Sequence, residues 1–356
     1  MLKTRTDRLK RFFDEYSLTA LLLTDLRNIR YLCGFSGSEG VLLVSRDNAW
    51  FLCDSRYTAQ AAEEVRGAEV RECGAVRIDT VALLAKEYRL NRIGFEAAHT
   101  TVSAFRRMSE KLSGIELVEI GSRLDKIRIC KDHAEIEQLK SVASLSSLAL
   151  ASVLSDIKPG VREVEIALAL ELEMRRRGAE GKAFDFIVAS GERGAMPHGR
   201  ASDKLIQSGE LVTIDFGALK DGYHSDETVT VACGQPGIRA REIHAIVKSA
   251  HDLAIDAVKP GISCKDLDEV ARSYICDKGY GDYFGHGLGH GIGMEIHEIP
   301  TLSPRSSAVL EEGMAITIEP GIFIPGFGGV RIEDTVIVTG CGCEVITSAD
   351  KQLLIL

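Results

Sequence analysis

The alternation of hydrophobic and polar residues divides the first third of the chain into short strands and amphipathic helices. It predicts a polar N-terminal helix, a strand over Leu21–Thr24, a hairpin over Gly40–Cys53 and a helix after Asp54. Strands that alternate with helices indicate an α/β layer. We therefore expect a first domain, of α/β type, over residues 1–124.

A second domain is expected over residues 125–356. A polar break at Gly121–Asp125 is followed by a long amphipathic helix from about Asp132 to Asp156, in which Asp132 is a candidate N-cap. The chain as a whole is predicted to be α+β, with a smaller first domain of α/β type.

The second domain contains a weak internal repeat. A long helix ends at Pro159-Gly160 and another at Pro260-Gly261, and in each case a second helix runs on to a closing glycine, Gly178 or Gly279. Pro-Gly is a strong helix terminator. Both halves continue into β-rich sequence, which predicts two related halves with the order helix, helix, sheet.

Each half contains a predicted hairpin with two acidic residues. In the first hairpin the turn is expected at Lys220–Gly222, and a centre between Lys220 and Asp221 would place Asp215 opposite Asp226. Side chains directly opposite each other in an antiparallel pair lie about 4.5–5.5 Å apart at Cβ, and like charges there are destabilising. This pair of carboxylates therefore requires neutralisation.

The second hairpin repeats this arrangement with Glu319 and Glu333, whose midpoint is Gly326. Shared protons could neutralise one such pair. For four carboxylates divalent cations are the more economical solution, since hard or borderline metals accept oxygen ligands.

A glycine-rich segment between the hairpins contains three histidines, His286, His290 and His297. It is too rich in glycine for a stable helix and is predicted to be a loop in which backbone and imidazole can approach a ligand closely. We assign His290 as the nitrogen ligand of a metal. His286 and His297 are expected to donate hydrogen bonds to substrate or to a developing oxyanion. His198 lies on a loop before the first hairpin.

Composition excludes several classes of function. The net charge of -9 and the scattered Lys and Arg residues disfavour nucleic acid as a partner. The charged start and the short apolar run Ala20–Leu23 fit neither a signal peptide nor a membrane span, so we expect a cytoplasmic protein. The nine cysteines lack a Cys-x-x-Cys pair and are expected to be reduced and mostly buried.

Together these motifs resemble the pita-bread metallopeptidases, family M24, which include aminopeptidase P, prolidase and methionine aminopeptidase. The resemblance spans the chain and rests on six segments, taken in order: Thr213–Ala218, Tyr223–Asp226, His286–Gly293, His297–Pro300, Ile318–Gly321 and Val330–Asp334. Asn28–Ser38 and Asp54–Tyr57 look like the additional N-terminal domain of the proline-specific branch, a creatinase/prolidase-like domain that methionine aminopeptidases generally lack.

The resemblance implies a pita-bread fold for the second domain and an enzyme that cleaves between an N-terminal residue and a following proline. It also implies two divalent ions per subunit, of which manganese or cobalt is favoured and iron or zinc is compatible with the ligands. The ligands carried over are Asp215, Asp226, His290, Glu319 and Glu333. Asp226 and Glu333 would bridge the ions, and a bridging hydroxide would be the nucleophile.

The remaining site residues are also carried over from the family. Glu319 would shuttle protons as well as bind metal, and His198 and His297 would stabilise the tetrahedral intermediate. Substrate contacts are expected from these two histidines and from His286. Arg331 alternates onto the same face as Glu333 and is expected to orient a ligand carboxylate.

One position departs from the family pattern, since Val229 stands where many members have arginine. The position lies outside the ligand set, so altered support of the site is expected rather than lost activity.

Four alternatives remain. The enzyme could be an aminopeptidase on longer peptides, favoured by Gly34–Ser38 and Asp54–Tyr57, or a dipeptidase on Xaa-Pro. An inactive peptide-binding module or a metal-free hydrolase of creatinase type is disfavoured, because all five ligands are present. The resemblance also implies that the protein forms a homodimer.

Overall fold

The computed structural model describes residues 2–74 and 76–356, which form two compact units that divide between Ile127 and Arg128. The predicted boundary at residues 124/125 lies within a short 3-10 helix, Ser122–Ile127. None of the helices in the described part of the chain is both long and apolar enough to cross a membrane.

The first unit is an α/β layer built on one mixed sheet. Its helices are α1 (Leu2–Glu15), α2 (Leu26–Cys33), α3 (Thr58–Glu64), α4 (Arg77–Glu87) and α5 (Val102–Lys111). Its strands are β1 (Ala20–Leu23), β2 (Val41–Ser45), β3 (Ala49–Cys53), β4 (Glu69–Glu72), β5 (Arg92–Glu96) and β6 (Glu116–Ile120). The strand order is β4-β3-β2-β1-β5-β6, and β2 with β3 forms the predicted hairpin.

The first half of the second unit contains two helices followed by strands. These are α6 (His133–Val153), α7 (Glu163–Arg176), β7 (Gly181–Lys182), β8 (Ile187–Ser190), β9 (Glu210–Phe216), β10 (Ala218–Lys220), β11 (Tyr223–His224) and β12 (Glu227–Cys233). Asp132 caps α6 as predicted, because its side chain accepts from the backbone N–H of Glu135 while the Glu135 side chain accepts from that of Asp132.

The second half repeats the order. Its elements are α8 (Ile238–Ala257), α9 (Cys264–Asp277), β13 (Gly289–Gly291), β14 (Glu298–Leu302), β15 (Ala315–Ile318), β16 (Gly321–Ile324), β17 (Gly328–Arg331), β18 (Asp334–Val338) and β19 (Cys343–Val345). Gly160 and Gly261 follow the first helix of each half with φ of 90° and 85°. These matching left-handed positions agree with the predicted duplication.

The sheets of the second unit meet where the two halves adjoin. Strands β12, β9 and β8 form one sheet, and β14, β13, β15, β18 and β19 form another. An isolated antiparallel bridge joins Thr228 of the first half to Glu333 of the second. A continuous core of α8, α9 and the second-half strands lies behind this junction and includes Val247, Leu267 and Ile316, each fully buried.

The cysteines are less buried than the sequence suggested. The structure buries Cys33, Cys53, Cys233 and Cys264, whereas Cys276 and Cys341 are exposed. Burial of the first group fits the behaviour of cysteine as a small hydrophobic residue.

Candidate metal centre

The first hairpin carries Asp215 and Asp226, but its register differs from the prediction. Asp215 pairs with Thr228 rather than with Asp226. The two central turn residues are Asp221 and Gly222, which have φ of 52° and 80°, so the hairpin is centred one residue later than expected. Positive φ at both central positions is the type I′ pattern that suits two-residue hairpins. Asp226 therefore lies diagonally from Asp215, just before β12.

The second hairpin carries Glu319 and Glu333, and its predicted centre at Gly326 is confirmed. Ile318 pairs with Asp334 on one side of the two glutamates, and Gly321 pairs with Arg331 on the other. The ladders on both sides have the register that places Glu319 opposite Glu333. Pro320 has no backbone N–H, which accounts for the interruption between β15 and β16.

His290 lies in a short strand, β13, rather than in an irregular loop. This strand is held between β14 and β15. A Cβ atom at Gly289 would lie 2.1 Å from the carbonyl oxygen of Thr317, and one at Gly291 would lie 2.5 Å from that of Ile299. Glycine on both sides of His290 is thus what allows the strand to lie so close to its neighbours.

All five predicted ligands meet at the junction of the two halves. Ligand atoms of Asp226, His290 and Glu333 all lie within 4.8 Å of one another. The Nε2 atom of His290 is 3.5 Å from Oδ2 of Asp226 and 3.4 Å from Oε1 of Glu319. The charge of Asp215 acts on the pKa of both Glu319 and Glu333.

Crowding of these carboxylates in a buried site disfavours their charged forms. Burial raises the pKa of Glu319 to about 7, and the charge of Asp215 adds to this effect. Burial and neighbouring carboxylates also raise the pKa values of Asp226 and Glu333 well above the usual range. Without a cation, the cluster therefore retains protons that ordinary carboxyl groups would release.

Arg331 supplies a fixed positive charge beside the cluster. It is 3% exposed, and its Nη2 donates to Oδ2 of Asp215 at 2.5 Å. Its Nη1 donates to the carbonyl oxygen of Pro197 at 3.0 Å, and its Nε to Oγ1 of Thr228 at 3.3 Å. The guanidinium thus fixes one oxygen of Asp215 and links it to the loop that carries His198.

Two atoms of the cluster, Oδ1 of Asp215 and Nε2 of His290, are suited to bind divalent cations. Oδ1 of Asp215 is buried and has no hydrogen-bond partner among the described residues. Nδ1 of His290 lies 3.0 Å from the carbonyl oxygen of Gly291, so Nδ1–H donates there and Nε2 is left as a lone-pair donor facing the carboxylates. Mixed carboxylate and imidazole ligands suit several divalent transition metals.

The other histidines lie around this cluster. The His297 ring packs edge-on to the His290 ring at 4.5 Å between centroids. His198 is exposed, but its charge acts on the pKa values of both His286 and His297. The structure therefore brings all the predicted site histidines together.

His286 is oriented differently from the prediction. Burial lowers its pKa to about 4, so the ring is neutral, and its Nδ1 lies 2.7 Å from the carbonyl oxygen of Gly287. Nδ1–H donates to that oxygen, which leaves buried Nε2 as an acceptor without a partner among the described residues. In this tautomer His286 can accept a hydrogen bond from a substrate but cannot donate one to an oxyanion.

Two threonines that the sequence did not single out hold the carboxylates. Oγ1 of Thr228 donates to Oε2 of Glu333 at 2.6 Å, and Oγ1 of Thr317 donates to Oε1 of Glu319 at 3.3 Å. Thr317 precedes Glu319 by two residues along its strand and therefore shares its face. Thr228 lies two residues after Asp226, and Thr317 lies two residues before Glu319. This spacing could have identified both threonines from the sequence.

Comparison with known proteins agrees with this geometry. Residues 137–340 match the model of metallopeptidase family M24. The chain belongs to this family. Residues 5–130 match the creatinase/prolidase N-terminal domain. The predicted family resemblance and the α+β fold with a pita-bread second domain are thereby confirmed.

Full-length relatives carry the same architecture. The chain is 40% identical to an Xaa-Pro dipeptidase of Pyrococcus furiosus over 99% of this chain and 100% of the relative. Among solved structures, an Xaa-Pro dipeptidase from Bacillus anthracis superposes with a TM-score of 0.97 at 44% identity, covering 100% of both chains. An X-Pro aminopeptidase from Thermotoga maritima gives a TM-score of 0.92 at 39% identity, with 96% and 98% covered.

Proposed function

We propose that this M24 metallopeptidase hydrolyses the bond between an N-terminal residue and a following proline, using two divalent ions held by Asp215, Asp226, His290, Glu319 and Glu333. The observation that carries the proposal is the cluster of Asp226, His290 and Glu333, with Glu319 3.4 Å from His290 and with an oxygen of Asp215 that has no partner among the described residues. Relatives named as Xaa-Pro dipeptidases and as an X-Pro aminopeptidase support the choice of substrate.

The metal ions would polarise the scissile carbonyl and supply a hydroxide nucleophile, which is the general chemistry of two-metal hydrolysis. The protein side chains provide the proton transfers. Glu319, whose Oε1 lies 3.4 Å from Nε2 of His290, would take a proton from the nucleophile and return it to the leaving nitrogen. Thr317 donates to Oε1 of Glu319 and fixes the orientation of the carboxyl group.

The histidines around the cluster would bind the substrate. Burial lowers the pKa of His297, so its ring is neutral and offers one N–H to the oxyanion that develops from the carbonyl. His198 reaches the same region from the Pro197 loop, which Arg331 holds. Nε2 of His286 would accept an N–H of the peptide.

Metal removal and replacement test the proposal. Protein treated with chelator should lose hydrolysis of a peptide with proline in second position, and Mn²⁺ or Co²⁺ should restore it. A matched peptide with alanine in second position is the control for specificity. Failure to bind any divalent ion would refute the proposed function and would favour a metal-free hydrolase or an inactive binding module.

A series of peptide lengths assigns the substrate class. Xaa-Pro, Xaa-Pro-Xaa and their C-terminal amides would be compared at equal concentration. Selective loss of activity beyond two residues, or on amidation of the dipeptide, identifies a dipeptidase. Activity that persists on the tripeptide and on amides identifies an aminopeptidase. Equal cleavage of peptides with and without proline would contradict the proposed specificity.

A further inference from the structure

A buried ionic cluster lies behind the metal centre and takes no part in the chemistry above. Lys351, near the C-terminus and 8% exposed, places its Nζ 2.5 Å from Oε1 of Glu227 and 3.1 Å from Oδ1 of Asp334. Glu227 is fully buried and Asp334 is 6% exposed. One ammonium group therefore lies between two carboxylates that come from different halves of the duplicated domain.

The remaining contacts of these carboxylates tie the cluster to the C-terminal segment. Oγ of Ser147 and the backbone N–H of Ala349 donate to Glu227 at 2.6 Å and 2.8 Å. Oγ1 of Thr347 donates to Oδ1 of Asp334 at 2.6 Å, and Nε2 of His251 lies 3.2 Å from Oδ2. Both carboxylates thus accept hydrogen bonds in addition to their contact with Lys351, and such bonds help to offset the cost of burying the charges.

The positions of the two carboxylates connect the cluster to the metal centre. Glu227 directly follows Asp226, and Asp334 directly follows Glu333. Successive side chains of a strand point to opposite faces, so Glu227 and Asp334 lie behind the residues that face the site. At the same point Oγ1 of Thr335 donates to the carbonyl oxygen of Asp226 at 2.8 Å.

We infer that Lys351 is a positioning residue for the metal centre, which sets the spacing of Asp226 and Glu333 by holding Glu227 and Asp334 together on the reverse side of the strands. This inference rests on the proposed function, because it assumes that Asp226 and Glu333 bind the ions. Without the ammonium group, two buried carboxylates face each other and repel. The strands would then separate, and the oxygens of the two ligands would no longer lie at the distance that the ions require.

Metal affinity measures this effect directly. Mn²⁺ would be titrated calorimetrically into chelator-stripped wild-type protein and into the variant Lys351→Met, which has similar length but no charge. We expect the variant to bind Mn²⁺ roughly 10- to 100-fold more weakly, the loss typical when a group that orients a metal ligand is removed. The double variant Glu227→Gln/Lys351→Met should recover part of the affinity, since it also removes one of the two repelling charges.

A matched control separates positioning from general loss of stability. Lys204 also makes a partly buried ion pair in the second unit, with Glu210 at 2.7 Å, at the end of β9 remote from Asp215. Lys204→Met should lower the unfolding temperature without changing the affinity for Mn²⁺. If Lys351→Met does not fold, Lys351→Gln, which keeps a hydrogen-bonding end, carries the same expected loss.

The outcomes are distinct. Wild-type affinity in a folded Lys351→Met or Lys351→Gln variant would overturn the inference and leave the proposed function standing. An equal loss in Lys204→Met would overturn it as well, because it would show a general effect of destabilisation. Wild-type protein that binds no Mn²⁺ would overturn the proposed function and this inference together.

Discussion

Removal of the metal by a chelator should make the second unit less stable as the pH rises. This is the reverse of the effect of carboxyl groups whose pKa values are lowered by folding. Burial raises the pKa of Glu319 from 4.5 to about 7, and it raises those of Asp226 and Glu333 as well. Between these pH values the folded protein retains a proton that the unfolded chain has released. The free energy of unfolding of the metal-free protein should therefore fall as the pH rises through this interval.

The magnitude follows from the shift at Glu319. The interval from 4.5 to about 7 corresponds to roughly 3 kcal/mol, at about 1.4 kcal/mol for each pH unit. The stabilisation by the bound proton is complete below pH 4.5 and is lost above about pH 7. Asp226 and Glu333 belong to the same cluster, so the measured protons belong to the group of carboxylates rather than to one residue.

Urea unfolding at several pH values, with and without chelator, measures this loss. The variant Glu319→Gln is the control, because its amide cannot release a proton and the titrating groups outside the carboxylate cluster cancel in the comparison. Circular dichroism is the appropriate signal, since the single tryptophan, Trp50, lies in β3 of the first unit. Added Mn²⁺ should reverse the slope, because metal binding favours the deprotonated ligands.

The refuting result is well defined. If the metal-free wild type and Glu319→Gln lose stability in parallel between pH 5 and 8, then Glu319 has an ordinary pKa in the folded protein. The repulsion among the carboxylates would then not be the property that requires cations.

Three further predictions concern side chains around the centre. In the metal-free protein, Arg331→Met should lower the free energy of unfolding by about 3–5 kcal/mol in urea titrations, because it leaves the Asp215 carboxylate without its cation; Arg331→Lys should recover part of this. His297→Ala should reduce kcat about 10²–10³-fold with Mn²⁺ affinity unchanged in calorimetry, and a large loss of affinity would contradict its role with the oxyanion. Gly289→Ala should cost about 1–3 kcal/mol in the same urea titrations and weaken Mn²⁺ binding, since its Cβ would lie 2.1 Å from the Thr317 carbonyl oxygen. Gly285→Ala, where an added Cβ meets nothing within 4 Å, should change neither.

The sequence was most informative where a short local pattern determines the structure. Period-two alternation identified both acidic hairpins, and the midpoint of Glu319 and Glu333 gave the centre of the second correctly. The predicted centre of the first hairpin was one residue too early, because the prediction gave Lys220 the same weight as Asp221 and Gly222. Asp-Gly strongly favours the two central positions of a type I′ turn, so that preference alone would have given the observed register.

Contacts between distant segments could not be predicted in this way. Lys351 reaches Glu227 and Asp334 across 124 and 17 residues of sequence, and neither spacing has a periodic signature. From the sequence alone, nothing distinguishes Glu227 from an ordinary polar residue at the start of a strand. Only the fold shows that it is fully buried. Similarly, the neutral tautomer of His286 depends on the carbonyl oxygen of Gly287, whose direction no residue pattern specifies.

The balance of charge at the centre favours two ions rather than one. Four carboxylates, those of Asp215, Asp226, Glu319 and Glu333, face one fixed cation among the residues that the structure describes, Arg331. When all are ionised, three negative charges remain in a site where burial already disfavours charge. One divalent ion leaves the site negative, whereas two divalent ions together with one hydroxide match it. Calorimetric titration should therefore give two Mn²⁺ per chain in the wild type. The reverse face of the same strands has Lys351 between its own pair of carboxylates and His251 beside Asp334, so removal of the metal should leave these ion pairs in place. Chelation should consequently loosen the contacts between the two halves on the side of the metal ligands, while the contacts around Lys351 remain intact.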